Sequence, residues 1–302
     1  NLISMFINST SLIIPTKDRF EFIKKLFKTL GSNINHFDEI IIVDSSSKIN
    51  RDRISNFVTN YKNTKIIKSL PSTSLQRNIG MRYARKNNKY IMFCDDDVIF
   101  KKDAFKEMNE CIKTNPRHIG FGFNLIENKK KNYFDKLKKN EFFVKNSLYH
   151  KDPGIVCKNG WHTNNSNLKK NYDVMWLSTQ ASIFKKQKIN NIFFDTGLGK
   201  YSYLEDLFFS FKLSKKGKLI ICSRSKYTHP NLIERTNIEF GVQEVTNRYK
   251  FVKQNKLNIR KFYITIAMKC LLNIPKIILG KIKFVNKFLG NIIGIYLCLI
   301  KK

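Results

Sequence analysis

Tyr90-Ile91-Met92-Phe93-Cys94-Asp95-Asp96-Asp97 runs an apolar segment straight into three adjacent carboxylates. A short apolar run without polar alternation reads as a strand buried on both faces, and such strands belong to parallel sheets covered by helices. The segments upstream supply both kinds of element. Leu12-Ile13-Ile14 is a second buried run, stopped by Pro15, and Ile40-Ile41-Ile42-Val43 is a third, ending on Asp44 and three serines. Lys65-Ile66-Ile67 is a further short strand. Between them Ile23, Leu26, Phe27 and Leu30 fall at helical spacing, with Gly31 where a C-cap is wanted. Ile54, Phe57, Val58 and Tyr61 form another helical stripe, and residues 74 to 87 read as helix. The alternation predicts an α/β fold on a doubly wound, mostly parallel sheet.

Ligands of such sheets gather beyond the carboxyl ends of the strands. Two strands here end in acid, at Asp44 and at Asp95 to Asp97, which places several carboxylates along one rim. Three neighbouring carboxylates repel one another, so at least one pKa is raised. A divalent cation, Mg²⁺ or Mn²⁺, that also touches substrate phosphates would relieve that repulsion. The competing reading is a solvated turn with an Asp cap on a helix over 103–114. G-x-G-x-x-G and G-x-x-x-x-G-K-[ST] are absent, which removes the main support for a dinucleotide site or a P-loop.

With 302 residues the chain has room for one large domain, or one domain and an appendage. A hydrophobic content of 42% excludes a wholly disordered chain. Lys+Arg 56 against Asp+Glu 23 leaves a net charge of +33, which points to phosphate-rich or anionic partners. Only 11 of the 56 basic residues are Arg, however, and nucleic-acid readers depend on Arg. A Lys-, Asn- and Ile-rich composition is also what AT-rich coding produces, and nucleic acid is not expected as a partner. The six cysteines are scattered without metal-ligand spacing, so a zinc ribbon and a dense disulfide scaffold are not expected, and a reducing cytosolic setting is. Asn1 to Pro15 has neither a basic segment nor a small-residue cleavage site, so it does not read as a secretory signal.

Residues 125 to 175 are the least regular part, with Lys129-Lys130-Lys131, Lys138-Lys139, Pro153-Gly154 and Asn159-Gly160-Trp161-His162. Trp161 and His162 are candidate ligand contacts, with a solvent-facing loop as the competing reading. From about Phe262 the chain turns into apolar blocks punctuated by Lys269, Lys276, Lys281, Lys283 and Lys287. Its uncharged run from Phe288 to Ile300 is shorter than the roughly 20 residues a bilayer span needs. A basic, apolar helical segment of this kind suits the membrane interface. Packing as a helix pair against the rest of the chain is the alternative.

The ordered motifs resemble family 2 glycosyltransferases. Ser11-Leu12-Ile13-Ile14-Pro15-Thr16 is similar to the family's opening, and Glu39 to Ser47 to its "hydrophobic run, Asp, small residues" signature. Arg77-Asn78-Ile79-Gly80 matches its Arg-Asn-x-Gly step and Asp95-Asp96-Asp97 its Asp-x-Asp. Phe194-Asp195-Thr196-Gly197-Leu198, Tyr203-Leu204-Glu205-Asp206 and His229 resemble its acceptor half.

The resemblance implies a GT-A fold, Rossmann-like, with a C-terminal helical extension. It implies a glycosyltransferase domain over residues 1–240, with a nucleotide-sugar half to about 125 and an acceptor half over 126–240. Residues 241–302 are then the membrane-associating tail.

The same resemblance implies roles for single residues. Pro15, Thr16, Asp44, Arg77, Asp95 and Asp96 would face the nucleotide sugar: Asp44 at the base, Arg77 near the nucleotide or its diphosphate, Asp95 at the ribose. Asp97 and His229 would hold the cation. Asp206 would be the general base, and Glu205 and Trp176 would contact the acceptor. The implied reaction is a single inverting displacement from a nucleotide sugar to a hydroxyl of a glycan or lipid-linked saccharide. It would serve surface-polysaccharide synthesis at the cytoplasmic face of an anionic membrane. A sugar nucleotidyltransferase and a non-catalytic basic binding protein are the rival readings. The first lacks its Gly-rich loop in Ser11 to Arg19, and the second leaves the ordered acidic positions unexplained.

Overall fold

The computed structural model describes residues 6–127, 140–199, 202–230, 235–278, 280 and 282–300. The Lys129–Lys131 and Lys138–Lys139 runs lie outside them. The chain divides into two compact units, Asn1–Asn128 with Asn165–Pro230, and Lys129–Asn164 with Asn231–Lys302.

The first unit is built on a nine-stranded sheet. Its strands are β1 (Thr10–Thr16), β2 (Glu39–Asp44), β3 (Thr64–Lys68), β4 (Tyr90–Cys94), β5 (Ile99–Phe100), β6 (Gly120–Leu125), β7 (Tyr172–Val174), β8 (Ala181–Lys185) and β9 (Leu219–Thr228). They lie in the order β3-β2-β1-β4-β8-β6-β9-β5, with β7 also on β9. The run β3-β2-β1-β4 is parallel throughout. Beyond β4 the directions mix. β8 is antiparallel to both β4 and β6, β6 and β9 are parallel, and β5 and β7 run against β9. An apolar run reports burial and not direction, which is why the sequence pattern does not separate the two halves.

Alternate residues of the central strands feed two apolar layers. Leu12, Ile14, Ile40, Ile42 and Met92 face one core, together with Ile23, Leu26, Phe27 and Leu30 of α1 (Phe20–Leu30), Ile54 of α2 (Lys48–Val58), and Phe105 and Met108 of α4 (Ala104–Thr114). Ile13, Ile41, Val43, Ile91 and Phe93 face the other, with Met81 of α3 (Thr73–Tyr83) and with Phe209 and Leu213 of α5 (Glu205–Ser214). Tyr61 of the expected stripe lies past the end of α2, where its ring packs 4.9 Å from that of Phe27. Helix α3 stops at Tyr83 and not at 87, because Ala84 is already extended. Gly80 explains the last position of the Arg-Asn-x-Gly step. A Cβ there would meet Ile13 Cγ2 at 2.3 Å, so α3 lies on β1 closer than a side chain allows.

No dense disulfide scaffold is expected from the sequence, and the described residues hold one bridge. Cys111 of α4 and Cys222 of β9 are joined by a disulfide across 111 residues of chain. No local spacing announces a pair so far apart, and it forms because α4 crosses the sheet over β9. Cys94, Cys157, Cys270 and Cys298 are buried and outside any disulfide.

In the second unit, α6 (Ile238–Gln254), α7 (Ile259–Leu271) and α8 (Lys283–Ile300) enclose Val245, Val252, Phe262, Ile266, Cys270 and Cys298. Trp161 belongs to this core and not to a solvent-facing loop. Its ring stacks on Phe262 at 6.3 Å, and the Arg248 guanidinium lies 4.3 Å from the ring centre. Helices α6 and α8 nearly touch. A Cβ on Gly290 would meet the Ile238 carbonyl oxygen at 2.2 Å. Beside that crossing the buried Glu244 carboxylate pairs with Lys269 and, at 3.4 Å, with Lys287. Opposite the packed face, Leu289, Ile292, Ile293, Tyr296, Leu299 and Ile300 are exposed, as are Ile278 and Ile282 before them. Among the described residues no helix is long and apolar enough to cross a membrane.

Candidate active site

The acidic loop is set by backbone first. Asp95 N–H, just past β4, donates to the Gln180 carbonyl at 2.9 Å, which ties the loop to the chain entering β8. From there the three carboxylates take different partners. Asp95 accepts from Arg77 Nη2 at 2.6 Å. Asp96 accepts from the Thr16 hydroxyl at 2.7 Å and from Arg19 Nη1 at 3.0 Å. Asp97 accepts from the same Arg19 nitrogen at 2.8 Å on Oδ2. Its Oδ1 lies 2.8 Å from His229 Nε2, directly after β9.

Burial is the main reason the Asp96 carboxyl is pushed up to about 7, against the pull of Thr16 and Arg19. The expected rise at one acidic position is therefore present, but desolvation outweighs mutual repulsion as its cause. Burial also works to raise Asp97, yet His229 and Arg19 outweigh it and leave its pKa below the ordinary value. Burial works to lower His229, and Asp97 reverses this, so the imidazole holds its proton more tightly than usual.

Ligand atoms of Asp95, Asp97 and His229 all lie within 4.8 Å of one another. Asp97 Oδ1 is buried, and despite the nearness of His229 it has no aligned hydrogen bond. Carboxylate oxygens with an imidazole nitrogen are a donor set for Mg²⁺ or Mn²⁺, and these three ligand atoms converge closely enough to share one ion. The residues present fit the cation that the sequence implies. Asp103, the alternative cap, makes no side-chain hydrogen bond at the start of α4.

The neighbouring strand ends complete the rim. Gln76 Nε2 donates to the carbonyls of Thr16 (2.9 Å) and Val43 (2.7 Å), which pins the ends of β1 and β2 side by side, with Pro15 of β1 buried. Asp44 is fully buried, and its carboxylate accepts from Ser46 N–H at 3.0 Å and from Arg51 Nε at 2.9 Å.

Across the site, Leu204 adopts a left-handed conformation (φ +76°) that turns the chain into α5, whose first residues are Glu205 and Asp206. Glu205 Oε1 accepts from Arg77 Nη1 at 2.7 Å, and burial pushes its carboxyl up to about 7. Leu207 N–H donates to Asp206 Oδ1 at 2.7 Å, and Ser210 Oγ donates to the Asp206 carbonyl at 2.6 Å. Arg77, 2% exposed, thus joins Asp95 to Glu205 with both terminal nitrogens, with the Phe194 ring 5.5 Å from its guanidinium. Sequence reasoning expects Arg77 at the nucleotide; the structure has it spanning two carboxylates. Trp176 is buried, with its carbonyl accepting from Asn165 Nδ2 at 3.3 Å.

Sequence reasoning passes over Arg19 and Arg51, although each lies a few residues beyond the carboxyl end of a strand, β1 for Arg19 and the acid-ended β2 for Arg51. That position is the signal that could have found them.

Residues 11–188, more than half of the chain, match the family model of glycosyl transferase family 2. The chain belongs to this family. No curated protein sequence matches it. Among solved structures it is similar to S. aureus TarS 1-349, at 17% identity and a TM-score of 0.52 over 80% of this chain and 64% of that one. The same TarS fragment in complex with UDP-GlcNAc gives 16% and 0.54, over 80% and 65%. GalNAc-T7 with UDP, GalNAc and Mn2+ gives 12% and 0.58, over 75% and 44%. The chain thus spans less than two thirds of each of these structures. At such identities the likeness shows the fold, a helix-flanked mixed sheet of the GT-A kind, and the family match begins at the first residue of the Ser11–Thr16 opening.

Proposed function

We propose that this family 2 member moves a sugar from a nucleoside-diphosphate sugar to a hydroxyl of a glycan or lipid-linked saccharide, inverting the anomeric centre. The observation that carries the reading is the convergence of Asp95, Asp97 and His229 at one strand end, joined through Arg77 to the helix that starts with Glu205 and Asp206. A donor pole and an acceptor pole on one buried strut are what a direct transfer requires.

In this reading Asp95, Asp97 and His229 hold a divalent cation, which supplies Lewis-acid stabilisation of the departing diphosphate. Asp44 receives the base, and Pro15, Thr16 and Asp96 line the ribose side. Asp206 takes the acceptor proton as the hydroxyl attacks, and Glu205 and the edge of Trp176 orient the acceptor. One displacement needs no covalent intermediate, in contrast to a retaining glycosidase. Residues 1–240 carry this chemistry. The lysine-rich, apolar 241–302 segment holds the protein at the cytoplasmic face of an anionic membrane, where a lipid-linked acceptor of surface polysaccharide is made.

Thermal shift against UDP-, GDP- and dTDP-sugars, with and without Mn²⁺, tests the reading. One donor class should stabilise the chain more with the cation than without it, and slow hydrolysis should release sugar of inverted configuration. Stabilisation by none of the donors, or turnover that persists in excess EDTA, would overturn it.

A further inference from the structure

We propose that Arg19 is a diphosphate ligand held in reserve: its guanidinium caps Asp97 until a divalent cation takes that carboxylate, then turns to the donor's diphosphate. The inference rests on the function proposed above and concerns a residue that the family motifs do not assign.

Among the described residues, three cationic groups touch the acidic loop. Arg77 is 2% exposed and tied at both ends, so it cannot turn. His229 belongs to the cation-holding set itself. Arg19 differs from both. Its side chain is 32% exposed, and it reaches Asp96 and Asp97 through the single nitrogen Nη1, while its other two guanidinium nitrogens make no hydrogen bond. Arginine binds carboxylate and phosphate best as a two-pronged fork, so a one-nitrogen contact leaves most of its donor capacity unspent. The Phe22 ring 5.3 Å away gives the guanidinium a flat face to slide on.

Charge balance sets the order of events. Asp97 has Arg19 on Oδ2 and the imidazole near Oδ1, so the acidic loop is neutralised from within. A cation bound by Asp95, Asp97 and His229 makes the guanidinium redundant there and places it beside incoming phosphate oxygens. Arg19 therefore competes with the cation when no nucleotide is present and cooperates with it when one is. Linkage requires both effects to vanish together when the guanidinium is removed.

The experiment measures Mn²⁺ binding alone by electron paramagnetic resonance, and UDP binding by calorimetry at saturating Mn²⁺, for wild type, Arg19→Met and Arg19→Lys. GDP or dTDP replaces UDP if the wild type binds it better. Arg19→Met should bind Mn²⁺ alone more tightly and UDP about tenfold more weakly, the scale of a lost charge-assisted contact. Arg19→Lys should lie between it and wild type for UDP, and it carries the test if Arg19→Met fails to fold. A wild-type protein that binds UDP, with variants inside twofold for UDP or weaker for Mn²⁺, overturns the role of Arg19 alone. A wild type that binds none of the three nucleotides overturns the proposed function, and this inference with it.

Discussion

At the scale of single residues the site separates holding from reacting. Asp97 is buried with Arg19 on Oδ2 and the His229 imidazole beside Oδ1, so Asp97→Ala should abolish Mn²⁺-dependent donor binding and turnover while the fold survives. Calorimetry with Mn²⁺ and circular dichroism check the two halves of that statement. Asp206→Asn should lower kcat by about 10²–10⁴, the range for general-base catalysis, with donor affinity near wild type. Loss of affinity at normal kcat would remove Asp206 from the base role. Glu205 gives a pH signature. Its carboxyl stands at about 7 in the folded chain against an ordinary 4.5, so the native state holds a proton that the unfolded state has released. Stability should therefore fall as pH rises from about 4.5 to 7, and Glu205→Gln should flatten that part of the Tm-against-pH curve. The strand-end carboxylates were legible because an apolar strand gives a run of acids no packing role. The destination of Arg77 was not, since Asp95 and Glu205 are 110 residues apart in the chain and only the fold brings them to one guanidinium.

At the scale of elements the parallel half of the sheet followed from its apolar runs, and the antiparallel entry of β8 did not. Strand periodicity records which faces are covered, whereas direction depends on the path taken between strands. The disulfide escaped for the same reason, as a contact made by crossing elements. In the second unit the crossing of α6 and α8 rests on backbone contact. Gly290→Ala should cost about 1–3 kcal/mol, the usual price of overpacking a tight contact, measured by denaturant unfolding. Glu244 beside it is held down to about 2 despite its burial, because Lys269 and Lys287 face it. Its contribution is complete above about 4.5 and is lost as pH falls toward 2. Glu244→Gln leaves two lysines facing a neutral amide and should destabilise this unit by about 3–5 kcal/mol at pH 7. A variant as stable as wild type would show that water, and not Glu244, serves those ammonium groups.

At the scale of the whole molecule the excess charge is unevenly placed. From Ile259 to Lys302 there are nine Lys and Arg residues and no Asp or Glu, next to the exposed apolar row of α8. The full chain should sediment with phosphatidylserine vesicles, and much less with neutral ones, since each Lys near an anionic surface contributes about 1 kcal/mol. Exchanging Ile292, Ile293 and Tyr296 for Ser should release it, and undiminished sedimentation would assign binding to charge alone. Truncation at Asn258 is not a clean test of that surface, because Phe262, Ile266 and Cys298 are core residues of the second unit. A stretch without carboxylates has a further consequence. No Asp or Glu lies along it, whereas the Glu205 carboxyl of the first unit stands at about 7. Acidity should therefore act on the first unit through Glu205, and ionic strength on the lysine-rich stretch through screening, so the Tm-against-pH curve and vesicle sedimentation should respond separately to pH and to salt.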